Sequence, residues 1–221
     1  MELGLKGRAA AVAGASKGLG LAVAKALGME GARVAVCSRE AHSIEQAAEE
    51  LRSEGIEAFA FASDVSQPAE ASGFVMQAMD KLGGLDILVT NAGGPPALAF
   101  EAIDDETWQQ GFRLNLMSTI AMIRAALPAM KARHWGRIIN MTSIAVKQPI
   151  DGLIISNTIR SGVIGLAKSL SRELAPYHIT VNNLLPGYFL TSRVEELAAK
   201  IAKQKNISPD DVILSWKRIS R

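Results

Sequence analysis

Six short apolar runs alternate with longer amphipathic ones along this chain, and that alternation limits its fold more than any other feature. The runs cover residues 8–13, 33–38, 58–62, 85–90, 136–141 and 179–185. Each is apolar on both parities, as parallel strands covered on two faces must be. Helical periodicity predicts helices over 19–29, 43–53, 67–82, 104–133 (as two helices) and 156–175. Gly31, Gly55, Gly83-Gly84 and Pro176 mark where they stop. Strand and helix in strict turn specify an α/β fold, a doubly wound parallel sheet with helices on both faces. Nothing resembling a linker interrupts the 221 residues, so one domain over 1–221 is expected.

The ligand crevice of such a sheet lies beyond the carboxyl ends of its strands, which directs attention to the residues following each strand. After the first comes Gly14-Ala15-Ser16-Lys17-Gly18-Leu19-Gly20, leading into a helical pattern. Gly14 permits a tight turn at positive φ, and Gly18 and Gly20 let backbone approach a ligand and helix approach strand. The positive end of that helix would then face phosphate groups. The spacing is G-x3-G-x-G rather than the commoner G-x-G-x-x-G, and it points to a dinucleotide; a ligand-free glycine turn is the bland alternative.

After the second strand stand Ser38-Arg39, where an acid would accept hydrogen bonds from an adenosine ribose and repel a 2′-phosphate. Arg39, with Ser16 and Lys17, would instead hold that phosphate, which favours NADP(H) over NAD(H). Ordinary solvated charges would explain Lys17 and Arg39 equally simply. Asp64-Val65 follow the third strand, placed to meet an adenine edge, although an aspartate there also suits a turn. The fourth strand ends in Asn91-Ala92-Gly93-Gly94-Pro95-Pro96. Ala92 and Gly93 let a flat ring lie on the backbone, the Asn91 amide can tie strand ends together, and the proline pair can wall a pocket.

Composition removes several other classes of function. Net charge is +2 with acids and bases interspersed, and Trp108, Trp135 and Trp216 are scattered, so a nucleic-acid partner is not expected. No apolar stretch is long enough for a membrane span, and the N-terminus reads as no signal peptide, so a soluble cytoplasmic protein is expected. Cys37 is a lone cysteine in an apolar run, which fits a reducing compartment. His42, His134 and His178 lack neighbours at metal-ligand spacing, so no metal site is expected. Met76, Met79, Met117, Met122 and Met130 read as core packing.

Taken together, the glycine turn, Asp64-Val65, Asn91-Ala92-Gly93, Asn115, Ser143 and Pro186-Gly187-x3-Thr191 resemble the short-chain dehydrogenase/reductase family, especially its 3-oxoacyl-carrier-protein-reductase-like members. Order and spacing agree over essentially the whole chain. The resemblance implies a Rossmann-type fold, a nicotinamide cofactor, and hydride transfer to or from a small-molecule carbonyl/alcohol substrate. It also implies that Pro186, Gly187 and Thr191 hold the nicotinamide end, that Asn115 supports a water-based proton relay, and that Ser143 hydrogen-bonds the substrate oxygen.

One departure falls on the chemistry itself. The family places a tyrosine one helical turn before a lysine, and alignment on Ser143 and on Ser161-Gly162 sets Ser156 and Arg160 there. No register shift restores the pair, because the tyrosines are Tyr177 and Tyr188, followed four residues on by Val181 and Ser192. Arg160 can fork onto ribose hydroxyls but releases no proton near neutral pH. Ser156 is shorter than tyrosine and far less acidic than a phenol of pKa about 10. Three readings follow. The first is an NADP(H)-dependent oxidoreductase with another proton donor: Ser143 and Ser156 through a water, Lys147, or Tyr188. The second is a non-catalytic NADP(H)-binding sensor or partner subunit, and the third a homologue with no dinucleotide, which the intact glycine turn opposes.

The remaining expectations concern the end of the chain and its assembly. Residues 192–221 suit a substrate lid, with a helix over 194–203 and another start at Ser208-Pro209-Asp210-Asp211. The family's seventh strand is missing before Arg221. The resemblance implies a homodimer or homotetramer, with residues 115–133 and 156–175 as the dimer seam.

Overall fold

The structure, a computed structural model, describes residues 2–219. Six parallel strands form one sheet: β1 (Ala9–Val12), β2 (Arg33–Ser38), β3 (Ala58–Ala62), β4 (Ile87–Thr90), β5 (Gly136–Met141) and β6 (Ile179–Leu184). Their spatial order is β3-β2-β1-β4-β5-β6, so the winding reverses between β1 and β4. This is the Rossmann-type arrangement that the alternation implied, and it opens a crevice at the β1/β4 boundary.

Both faces of the sheet are covered because both parities of each inner strand are apolar. On one face α1 (Gly18–Met29) and α2 (Ala41–Ser53) pack Ala24, Ile44, Ala47 and Leu51 against Ala10, Val12, Val34 and Val36. The opposite face takes α3 (Pro68–Leu82), α5 (Ser118–Arg133) and α6 (Ile154–Glu173), which set Phe74, Val75, Met122, Met130 and Ala167 against Ala11, Ala35, Leu88 and Ile138. No helix among the described residues is long and apolar enough to cross a membrane.

Several boundaries differ from the sequence reading, each for a local reason. β4 starts at Ile87 because Asp86 serves as a clasp: its carboxylate accepts from the Ala9 N–H at 2.9 Å and faces Arg8 at 3.3 Å and Arg133 at 3.7 Å. The two helices expected over 104–133 are α4 (Asp105–Phe112) and α5, joined without a break by one π turn, Arg113–Met117. Met76 is not core, being 55% exposed. On α3 the buried series runs Ala71, Phe74, Val75, Ala78, Leu82, and Met76 falls off that stripe.

After β6 the chain forms α7 (Ser192–Lys205) and α8 (Pro209–Ile219), a hairpin with a small core of its own. Ala198, Ala202, Val212 and Trp216 form it, and Tyr188 from the preceding loop lies flat on Trp216, ring centroids 4.5 Å apart and planes 7° from parallel.

Candidate functional site at the carboxyl ends of the strands

At Gly14 and Gly20 the turn is packed too closely for a side chain. Gly14 adopts φ +58°, and a Cβ on Gly20 would stand 2.2 Å from the Gly14 carbonyl oxygen. Asn91 Nδ2 donates to the carbonyls of Ala13 (3.2 Å) and Gly14 (3.0 Å), so the end of β4 buttresses the turn from behind. Beyond the turn, Lys17 caps α1 without a side-chain hydrogen bond, and the first turn of that helix holds no acid. Its N–H groups and positive dipole end are therefore left facing the crevice. Gly18, at φ +60°, lies against the Thr191 side chain, whose methyl is 3.6 Å from a Cβ position on Gly18. Leu19 packs into the core beneath.

Around this turn the other expected residues fall into groups. Lys17 and Arg39 are exposed, Ser16 and Ser38 half-buried, and the Ser38 hydroxyl donates to the Glu40 carbonyl at 3.4 Å. Asp64 closes its own turn, its Oδ1 accepting from the Ser66 N–H at 3.0 Å, while its N–H donates to Glu70 Oε2 at 2.7 Å. Val65 is buried in the core. Cys37, directly behind the turn, is fully buried, and burial pushes its thiol up to about 12.

A second cluster gathers where β4 and β5 end. The Gly93 carbonyl accepts from Asn115 Nδ2 at 2.9 Å and from Arg160 Nη2 at 3.5 Å. Arg160 Nη1 reaches the carbonyls of Met141 (3.0 Å) and Thr142 (3.2 Å), so one buried guanidinium spans both strand ends. Asn115 sits within the π turn, and its Oδ1 is buried with no hydrogen-bond partner among the described residues. Ser156 stands one helical turn before Arg160, 8% exposed. Ser143 begins the next loop, its Oγ accepting from the Ala145 N–H at 3.1 Å. Pro186 and Gly187 run alongside, held by the Ile144 N–H donating to the Pro186 carbonyl at 3.0 Å.

The outer loops are tied together by contacts that no local pattern encodes. The Leu98 N–H donates to the Gly152 carbonyl at 3.0 Å, joining the loops before α4 and α6, and Asn157 Nδ2 secures Ile150 O at 3.0 Å. Lys200 on α7 donates to the Ala97 carbonyl at 3.0 Å, which leans the hairpin on the same loop. Tyr188, one of the candidate proton donors, is occupied in the stack with Trp216, and burial, then the Asp151 charge, raises its phenol above the ordinary value. Among the described residues no group of three His, Cys, Asp or Glu side chains is placed to hold a metal ion.

Comparison with known proteins gives a consistent result. A family model described as short chain dehydrogenase matches residues 8–202. A protein described as ketoacyl reductase 1 of the granaticin polyketide synthase of Streptomyces violaceoruber is 37% identical over 204 residues, covering 91% of this chain and 75% of that protein. L-sorbose reductase from Gluconobacter frateurii, solved with NADPH and L-sorbose, superposes with a TM-score of 0.87 at 32% identity, covering 92% of this chain and 78% of that one. Xylitol dehydrogenase bound to NAD+ superposes at 0.85 with 27% identity, covering 90% and 77%.

Proposed function

Because the chain belongs to the short-chain dehydrogenase family, a family of oxidoreductases, we propose that it is an NADP(H)-dependent enzyme acting on a carbonyl/alcohol pair with an atypical proton donor. The observation that carries this reading is the close-packed glycine turn, where a Cβ on Gly20 would meet the Gly14 oxygen at 2.2 Å and α1 presents an uncapped N-terminus. A pyrophosphate suits that cradle. Gly14, Ser16, Gly18, Leu19 and Gly20 would line it, Asn91 supporting the turn and Ala92-Gly93 accommodating the ribose. Lys17, Ser38 and Arg39 would take a 2′-phosphate, and Asp64-Val65 the adenine side. Pro186, Gly187 and Thr191 would bound the nicotinamide end. When bound, the nicotinamide supplies or accepts the hydride.

The chain's own residues must then manage the proton. An alkoxide formed by reduction needs a donor, and general acid catalysis is worth about 10²–10⁴ in rate. Arg160 would supply a fixed positive charge beside the ribose of the cofactor and gives up no proton. Ser143 would orient the oxygen, and Ser156 would give its hydroxyl proton to the alkoxide and regain one from a water held by Asn115 Oδ1, which bulk solvent reprotonates. The substitution of tyrosine and lysine by Ser156 and Arg160 therefore predicts slow turnover rather than none.

A second reading, a non-catalytic NADP(H) sensor, is favoured by one observation: the Arg160 guanidinium is engaged with the carbonyls of Met141, Thr142 and Gly93. Fluorescence titration with NADPH and NADH, followed by NADPH oxidation with ketones, quinones and 3-oxoacyl thioesters, separates the two. Measurable turnover supports the enzyme. Tight NADPH binding without turnover, with activity appearing only in the Ser156→Tyr/Arg160→Lys double variant, supports the sensor. NADH binding as tightly as NADPH would remove the role given to Lys17 and Arg39.

A further inference from the structure

A side-chain ladder, buried at Thr90 and Asn140 and half-buried at Asn183, crosses three strands just short of the site. Thr90, Asn140 and Asn183 stand level in the register of β4, β5 and β6. Thr90 Oγ1 donates to Asn140 Oδ1 at 2.8 Å, and Asn140 Nδ2 donates to Asn183 Oδ1 at 3.0 Å. Thr90 is 2% exposed and Asn140 1%. Beyond this rung, the Thr142 N–H and hydroxyl both donate to the Leu184 carbonyl, each at 2.8 Å.

Buried hydrogen bonds between side chains add little net stability over well-packed apolar groups, since both partners give up water to form them. What they add is selectivity among alternatives. Sliding β5 by two residues keeps every side chain on its own face, so the apolar pattern alone tolerates the slip. The ladder does not: Ile138 in place of Asn140 would leave the Thr90 hydroxyl and Asn183 Oδ1 without a partner between them, and Thr142 would offer them one hydroxyl on a shorter side chain.

Each ladder residue lies immediately upstream of a wall of the site. Asn91 follows Thr90 directly, Ser143 comes three residues after Asn140, and Pro186 three after Asn183. Arg160 can reach Gly93, Met141 and Thr142 together only while β4 and β5 end level. We infer that Thr90, Asn140 and Asn183 are positioning residues that set the relative heights of Gly93, Ser143 and Pro186-Gly187 in the cofactor and substrate site. This rests on the reading of that site given above.

The test compares Thr90→Val with Thr90→Ser, and both with the apolar triple variant Thr90→Val/Asn140→Leu/Asn183→Leu, using the full chain. Two readouts are taken, NADPH affinity by fluorescence and amide hydrogen exchange at residues 91–94, 142–145 and 184–188. The triple variant is expected to keep its far-ultraviolet circular dichroism and melt cooperatively, while its NADPH Kd rises about tenfold or more, the loss of about 1.4 kcal/mol of binding free energy. Exchange in the three segments should quicken, and Thr90→Ser should restore what Thr90→Val loses. Wild-type affinity and wild-type protection in the Val and triple variants would overturn the inference. Should the wild-type chain itself not bind NADPH, the functional reading fails, and the exchange pattern decides the ladder alone.

Discussion

At Gly20 a single methyl group would stand 2.2 Å from the Gly14 carbonyl oxygen and 2.9 Å from Asn91 Nδ2. Neither contact can relax cheaply, because one is backbone and the other is held by two hydrogen bonds. Gly20→Ala is therefore expected to cost about 1–3 kcal/mol, the usual penalty of overpacking. It should also abolish measurable NADPH binding, as scored by thermal melting and fluorescence titration. Gly18 makes a useful contrast: its missing Cβ faces only the Thr191 methyl at an ordinary distance, although its φ of +60° still strains any other residue. Unaltered NADPH affinity in Gly20→Ala would show that the turn is not the phosphate cradle.

At the scale of elements, the strands were legible because both-face burial writes itself as continuous apolar runs: β2, β3 and β5 lie where the pattern put them. Gly14 was legible too, through the turn its φ of +58° makes. The start of β4 was not, since the Asp86 clasp joins residues 77 positions apart and leaves no local trace. Arg160 was readable as a basic side chain one helical turn after Ser156, but not its carbonyl partners, which lie at and just beyond the ends of β4 and β5. The hairpin of α7 and α8 was visible as two helices; that they carry their own core was not, because Tyr188 meets Trp216 from an irregular loop. That small core makes its own prediction. Trp216→Ala should expose α7 and α8 to protease and speed their amide exchange, while the sheet melts within a few degrees of wild type. A single transition lowered by far more would mean that the hairpin and the sheet unfold as one unit.

Across the whole molecule, the end of the sheet opposite the site is fastened by charge. Asp86 joins Arg8 before β1, the Ala9 N–H within it, and Arg133 at the end of α5. Trp135 is flanked by guanidinium groups, Arg8 at 3.9 Å and Arg137 at 4.3 Å from its ring centroid. Removing the mostly buried carboxylate leaves the Ala9 N–H without its acceptor, so Asp86→Ala should cost about 2–4 kcal/mol of global stability. Urea unfolding would measure it, and NADPH affinity should stay unchanged because the site lies at the other end of the strands. The strand order also has a consequence for how the chain is made. β1 is synthesised first yet lies inside the sheet, with β2 on one side and β4 on the other. During translation β2 arrives early, but the other edge of β1 waits for Ile87–Thr90. A nascent chain that pauses between those events therefore presents an unpaired apolar strand, Ala-Ala-Ala-Val, to the ribosome surface and to chaperones.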